Sequence, residues 1–197
     1  MEVKLGSSLR IGCPQRAQLV GGFDDGLGAM RIPVFVSCPT RLNAEQKRSR
    51  DLIVGLLAEF GLEDRALGRS DYSTDYPLRE IYIIARHCSG GLILGFEQAY
   101  MASGVVKRGT EAEAEISEPK KLPTPWNQLE AGILFGMKLP LLIFKEPGIE
   151  GGIFDSGMTD AYLQEIPPGD LSPDKKKQLV EVLLRWRGRV SEHYYRY

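Results

Sequence analysis

The sequence predicts a doubly wound α/β domain, on three observations. Short apolar runs without alternation recur at 33–37, 91–96 and 139–144, as expected of parallel strands covered on both faces by helices. Between them, apolar residues fall at spacings of three and four, the period of an amphipathic helix. Strand and helix signals follow one another in turn, the order of a βαβ sheet with helices on both faces. Composition agrees: of 197 residues, 43% are hydrophobic and 26% charged, enough apolar surface for a sizeable core and too much for a chain disordered throughout.

The elements can be justified in order. Residues 1–30 are Gly-rich and show no sustained period, so a flexible or loosely packed N-terminal extension is expected ahead of one domain over 31–197. The run at 33–37 is the first strand and ends in the loop Ser37-Cys-Pro-Thr40. Asn43 caps a helix whose apolar face is Leu52, Ile53, Leu56, Leu57 and Phe60, stopping at Gly61. Residues 62–67 form a second strand, 68–76 a polar loop, and Pro77 opens a helix with Leu78, Ile81, Tyr82, Ala85 and Cys88 on its buried side. The third strand is 91–96. A charged, Ala- and Glu-rich insertion at about 97–123 interrupts the rhythm as a solvated excursion. Thr124 then caps a helix with Pro125 at its first position, carrying Trp126, Leu129, Ile133, Leu134 and Met137. A fourth strand at 139–144 and a Gly/Pro-rich stretch to Gly169 lead to a C-terminal helix at about 173–195. Its apolar side is Leu179, Val182, Leu183, Trp186 and Val190.

Charge and residue usage exclude several functions. With 25 Lys and Arg against 26 Asp and Glu, the net charge of -1 offers no broad footprint for a nucleic-acid polymer. Two His and three Cys without a CxxC pair leave no structural zinc site. An odd, well-separated set of cysteines and no secretory leader suggest reduced thiols and a cytoplasmic location. The apolar runs are too short to span a bilayer, so no membrane partner is expected.

In doubly wound sheets ligands bind beyond the carboxyl ends of the strands. Four segments lie there: 37–40, 69–76, Phe96-Glu97 and 124–130. They contain no GxGxxG and no GxxxxGK[ST], so a phosphate would have to use plain loop amides or Arg69. Glu130 stands out because it lies four residues after Trp126 on a face read as apolar. A lone acid on a burying face costs on the order of several kcal/mol unless it is paired or borders a cavity. An arginine partner and a ligand cleft are equally compatible with that spacing.

The segment Trp126-Asn-Gln-Leu-Glu130 resembles the Trp-x-x-x-Glu helix of Toll/interleukin receptor (TIR) domains, and 130–140 is similar to the Glu-x-Gly-x-Ala segment of the nucleoside 2-deoxyribosyltransferase-like family. The strand at 34–37 and the loop at 69–76 fall where TIR domains carry their opening strand and the loop before their second helix. The resemblance covers roughly residues 32–145 in element order. Two departures stand out: the insertion is long for either family, and Thr124-Pro125 replaces the serine that usually precedes the tryptophan of TIR enzymes. The resemblance implies a flavodoxin-like, TIR-like sheet and a glutamate working at a ribosyl C1′, hence an NAD glycohydrolase or cyclase, in defence signalling in bacterial relatives. It also implies self-association into a homo-oligomer. The alternatives are a deoxyribosyltransferase-like N-glycosidase and a non-catalytic nucleotide-sensing or scaffold domain.

Residue chemistry adds to this. Cleavage of an N-glycosidic bond passes through an oxocarbenium-like state, which a carboxylate stabilises or attacks. With NAD, nicotinamide leaves as a neutral base from a cationic ring and needs no acid. A neutral nucleoside needs a second acid, which Glu97 or Asp71 could supply. Glu130 is therefore the expected catalytic carboxylate. Ser37, Pro39, Arg69, Asp71, Tyr72, Tyr76, Phe96, Glu97 and Trp126 are the expected substrate contacts. Tyr72, Tyr76, Phe96 and Trp126 supply ring faces, although core packing competes for Phe96 and Trp126. Ser37 and Thr40 can donate to a phosphate or ribose, against the bland alternative of turn residues. His87 reads as structural at a helix end, the Lys175 to Lys177 run as a solvated helix start, and Cys38 lacks the His/Asn partner of a cysteine nucleophile. No metal and no resident cofactor are expected, NAD entering as substrate.

Overall fold

Five parallel strands carry the molecule. The computed structural model describes residues 31–66 and 76–196; the N-terminal extension expected at 1–30 lies outside them. In chain order the elements are β1 (Ile32–Ser37), α1 (Ala44–Glu59), β2 (Leu62–Arg65), α2 (Pro77–Arg86), β3 (Gly91–Gly95), four short strands β4 (Ala99–Met101), β5 (Val105–Val106), β6 (Ala114–Glu115) and β7 (Lys120–Leu122), then α3 (Pro125–Gly136), β8 (Leu141–Lys145), β9 (Tyr162–Glu165) and α4 (Pro173–Arg196). The main sheet has the order β2-β1-β3-β8-β9 with every pair parallel. Numbered along the chain by themselves, these five strands run 2-1-3-4-5, the flavodoxin-like doubly wound order.

The unalternating strand sequences follow from burial on both faces. Val34 and Val36 of β1, Leu92 and Leu94 of β3, and Leu142 and Phe144 of β8 pack with Ile53, Leu56 and Leu57 of α1 and Leu183, Trp186 and Val190 of α4. Their neighbours Phe35, Ile93, Leu141 and Ile143 point the other way, onto Ile81 and Ala85 of α2 and Ala131 and Leu134 of α3. Each fully buried side chain of this size contributes about 1.5–3 kcal/mol. Trp186 is fitted at both ends, its ring buried and its Nε1 donating to the Pro140 carbonyl at 3.0 Å.

Local signals place the helix ends as expected. Asn43 Oδ1 accepts from the amides of Glu45 and Gln46, and the Gln46 side chain accepts from Asn43 N, a complete capping box. Gly61 leaves the helix at a φ of 72°, where a side chain would be strained.

Four differences from the sequence reading have physical causes. On α2 the buried side is Ile81, Ile84 and Ala85, continued by Cys88, while Leu78 and Tyr82 are exposed; the burying stripe runs i, i+3, i+4, i+7 from Ile81 and not from Leu78. On α3 the buried residues are Asn127, Ala131 and Leu134, whereas Trp126 and Leu129 are 42% and 48% exposed. β9 is a fifth strand inside the Gly/Pro-rich stretch; it pairs with β8 alone, so its Tyr-Leu-Gln-Glu sequence carries little of the buried-strand signal. The insertion is exposed but ordered, with β4 pairing antiparallel to β7 and β5 to β6 in two nested ladders.

Candidate functional site

From β1 the chain crosses to β2 on one side, and it returns to β3 on the other. The loops therefore diverge at the carboxyl ends of β1 and β3 and leave a crevice there. The N-terminus of α3 packs against these strands. Asn127, its third residue, donates from Nδ2 to Ser37 Oγ at 2.8 Å and toward the Leu94 carbonyl at 3.5 Å, so one carboxamide ties the ends of β1 and β3 together. Beside it opens a cleft of about 260 Å³. Cys38, Pro39 and Thr40 from the β1 loop form one wall, and Pro77 and Ile81 of α2 a second. Gln98 and Thr124, at the two roots of the insertion, and Trp126, Asn127 and Glu130 of α3 complete it.

Asn127, Glu130, Ala131 and Leu134 fall at i, i+3, i+4 and i+7, a single stripe along α3. Its apolar half, Ala131 and Leu134, enters the core, and its polar half borders the cleft. Glu130 is thus half-buried at a cavity edge that it shares with Trp126, and the face expected to bury it is itself half-exposed at Trp126 and Leu129. Asn127 is 0% exposed, and its Oδ1 is enclosed without a hydrogen-bond partner. An unmatched buried acceptor costs about 1–3 kcal/mol.

The structure brings together Glu130, Trp126 and Pro39, with Ser37 behind them. Ser37 is buried and does not line the cleft; it accepts from Asn127 and supports the wall. Tyr76 is 81% exposed at the start of α2, and its neighbour Pro77 is the residue that reaches the cleft. Phe96 is placed elsewhere, fully buried in the core between the sheet and α1 and α4. Glu97 is also elsewhere: its carboxylate lies 3.2 Å from Lys121 Nζ, in a separate recess with Gln46 and Glu146. Arg69, Asp71 and Tyr72 lie outside the described residues. Sequence reasoning passed over Asn127, Gln98 and Ile81 as site residues. For Asn127 a signal existed, its position three residues before Glu130.

Among the described residues no helix is long and apolar enough to cross a membrane, and no group of three His, Cys, Asp or Glu side chains could hold a metal ion.

No protein-family model matches the chain, and no curated protein does. Among solved structures, a diflavin flavoprotein A3 from Nostoc sp. is similar with a TM-score of 0.46 and 14% identity, over 85% of this chain and 97% of that one. The apo form of an NADH:FMN oxidoreductase gives 0.44 and 14%, over 82% and 89%. The Vibrio vulnificus NanR protein complexed with ManNAc-6P gives 0.34 and 12%, over 85% and 50%. At these scores the likeness assigns no activity. The expectation of a chain without a cofactor runs against these neighbours, two of which are named as flavin proteins; flavodoxin-like sheets in general take FMN at the crevice between their first and third strands.

Whether these side chains suit FMN is decided at its phosphate. The helix amides closest to the β1 loop, Glu45 N and Gln46 N, already donate to Asn43 Oδ1 at 3.0 and 2.9 Å. The recess beside them carries Glu45, Glu97 and Glu146, charges that repel an anion. Trp126 offers a ring face, but the α1 start, with its amides capped and three carboxylates beside it, does not fit the FMN phosphate, and no step is routed through FMN.

Proposed function

We propose that this chain cleaves the N-glycosidic bond of a nucleotide whose base departs without protonation, NAD being the simplest such substrate, with Glu130 as the carboxylate at the ribosyl C1′. The observation that carries this reading is the position of Glu130, the one acid among the described residues lining a cleft at the sheet's switch point. In the reaction the C1′–N bond breaks and its electron pair goes to the pyridinium nitrogen, which becomes neutral. The oxocarbenium-like sugar that remains is stabilised by the Glu130 carboxylate until water adds at C1′ and loses a proton, or until another hydroxyl of the same molecule adds and closes a ring. Trp126, half out in solvent at the cleft mouth, presents a face for a flat ring.

A neutral nucleoside would need a second acid. Glu97, the described candidate for that role, is instead held by Lys121 in another recess. This favours the NAD-type substrate over deoxyribosyl transfer. The resemblance to TIR domains adds that further copies of the chain associate in the active state.

Glu130→Gln preserves shape and removes the charge. The expected result is a fall in nicotinamide release from NAD by about 100-fold or more, read by chromatography with the melting temperature as a folding control. Release that survives the substitution overturns the reading.

A further inference from the structure

Of the polar side chains described along the cleft, Asn127 is the buried one, and its carboxamide is held at one end only. Nδ2 is engaged by Ser37 Oγ and the Leu94 carbonyl, while Oδ1 meets no donor. The orientation follows from the chemistry of Leu94. A backbone carbonyl can only accept, so the amide must present its NH2 there, and turning it over would set two carbonyl oxygens against each other. The strands therefore take the donor end, and the acceptor end, shielded from solvent, is the part of this cleft-wall residue left without a partner.

We propose that Asn127 Oδ1 is a substrate-recognition acceptor, taking a hydrogen bond from a hydroxyl of the ribosyl group whose anomeric carbon faces Glu130. This rests on the N-glycosidic reading above. Asn127 and Glu130 are neighbours one turn apart on α3, with about 5–6 Å between such Cβ atoms; a single sugar ring can therefore meet both. The amide suits this place better than an acid would. A second carboxylate one turn from Glu130 would favour the protonated, uncharged form of both, whereas a neutral oxygen accepts the hydroxyl hydrogen and leaves the Glu130 charge for C1′. Burial makes the contact selective, because an acceptor shielded from water has no substitute when the hydroxyl is missing.

The test compares NAD with analogues lacking the 2′- or the 3′-hydroxyl of the nicotinamide ribose, using the full chain. In kcat/KM, the natural chain should prefer NAD over one of the two by about ten- to a hundredfold, and Asn127→Leu, similar in shape but without the acceptor, should reduce that preference to within about threefold. Ser37→Ala is the structural comparison: it frees the strand end of the amide and should slow all three substrates alike, keeping the preference. An unchanged preference in Asn127→Leu overturns the proposal, and so does an equal loss on all three substrates, which would make Asn127 only a strut for α3. No preference for either hydroxyl in the natural chain overturns it without any variant, so the test does not depend on Asn127→Leu folding. If the natural chain releases no nicotinamide, the N-glycosidic reading has failed, and calorimetric binding of the same three compounds decides this proposal separately. Preferential binding of NAD that Asn127→Leu abolishes upholds the acceptor; equal binding, or none, overturns it.

Discussion

α1 and α3 both begin beside the carboxyl ends of the central strands, and they treat their polar residues in opposite ways. At α1 the side chains of Asn43 and Gln46 close on each other's backbone, and Gln46 Nε2 goes on to donate to the Glu97 carbonyl and the Glu146 carboxylate, so both ends of its amide are matched. At α3 Thr124 caps the amide of Trp126, but Asn127 reaches out to β1 and β3, and Glu130 borders the cleft. A cap whose groups are all matched only stabilises the fold. A cap whose neighbours face a crevice leaves polar groups at the place where the sheet's topology lets a ligand enter, and the unmatched Asn127 oxygen is the cost of that arrangement.

The sharpest way to break the comparison uses the two tryptophans. Trp186→Ala, on the core face of α4, should lower unfolding free energy by about 3–5 kcal/mol, measured by urea denaturation. Trp126→Ala, half-exposed at the cleft, should cost no more than about 1 kcal/mol while weakening NAD binding. Equal destabilisation by the two would place Trp126 in the core after all. A smaller effect separates the two helix starts. Asn43→Ala should destabilise by about 1 kcal/mol and leave kcat/KM for NAD unchanged, since its contacts end within α1; a lowered rate would join the α1 start to the site.

The smallest effect lies far from both, in α4. Burial, reinforced by the charge of Arg196, holds the His193 imidazole below its usual range. The folded chain then binds a proton less readily than the unfolded one. Stability should be complete above about pH 6.5 and decline as the pH falls from there through the lower folded pKa. His193→Gln should flatten the melting temperature between pH 8 and 5; an unchanged slope would assign the pH dependence to other groups.

The α1 start was legible in the sequence because Asn43 and Gln46 are three residues apart. The α3 stripe was misread for an equally local reason. Trp126, Leu129 and Ile133 repeat with helical spacing as well as Asn127, Ala131 and Leu134 do, and their greater hydrophobicity drew the burying face to the wrong side. Apolar character alone could not reveal that the tryptophan stands half out of the core. Glu130 stands out in the sequence for its place one turn after Trp126 on a face that the structure leaves half exposed, and it borders the cleft through the stripe it shares with Asn127; Glu97 reads as available because nothing near it in sequence announces Lys121 as its partner.

What the sequence determined by itself is whatever acts within a few residues: the alternation of strands and helices, the caps at Asn43 and Thr124, Pro125 opening α3, and the apolar faces of α1 and α4. These depend on periods and hydrogen bonds that close inside one or two turns. The tertiary structure decided the rest. The strand order chose which loops converge, the side of the sheet sent Phe96 into the core, and packing joined Asn127 to Ser37 across 90 positions of chain. Such pairings arise only when several elements bury their faces together, because each face is satisfied by surfaces that lie far away along the chain.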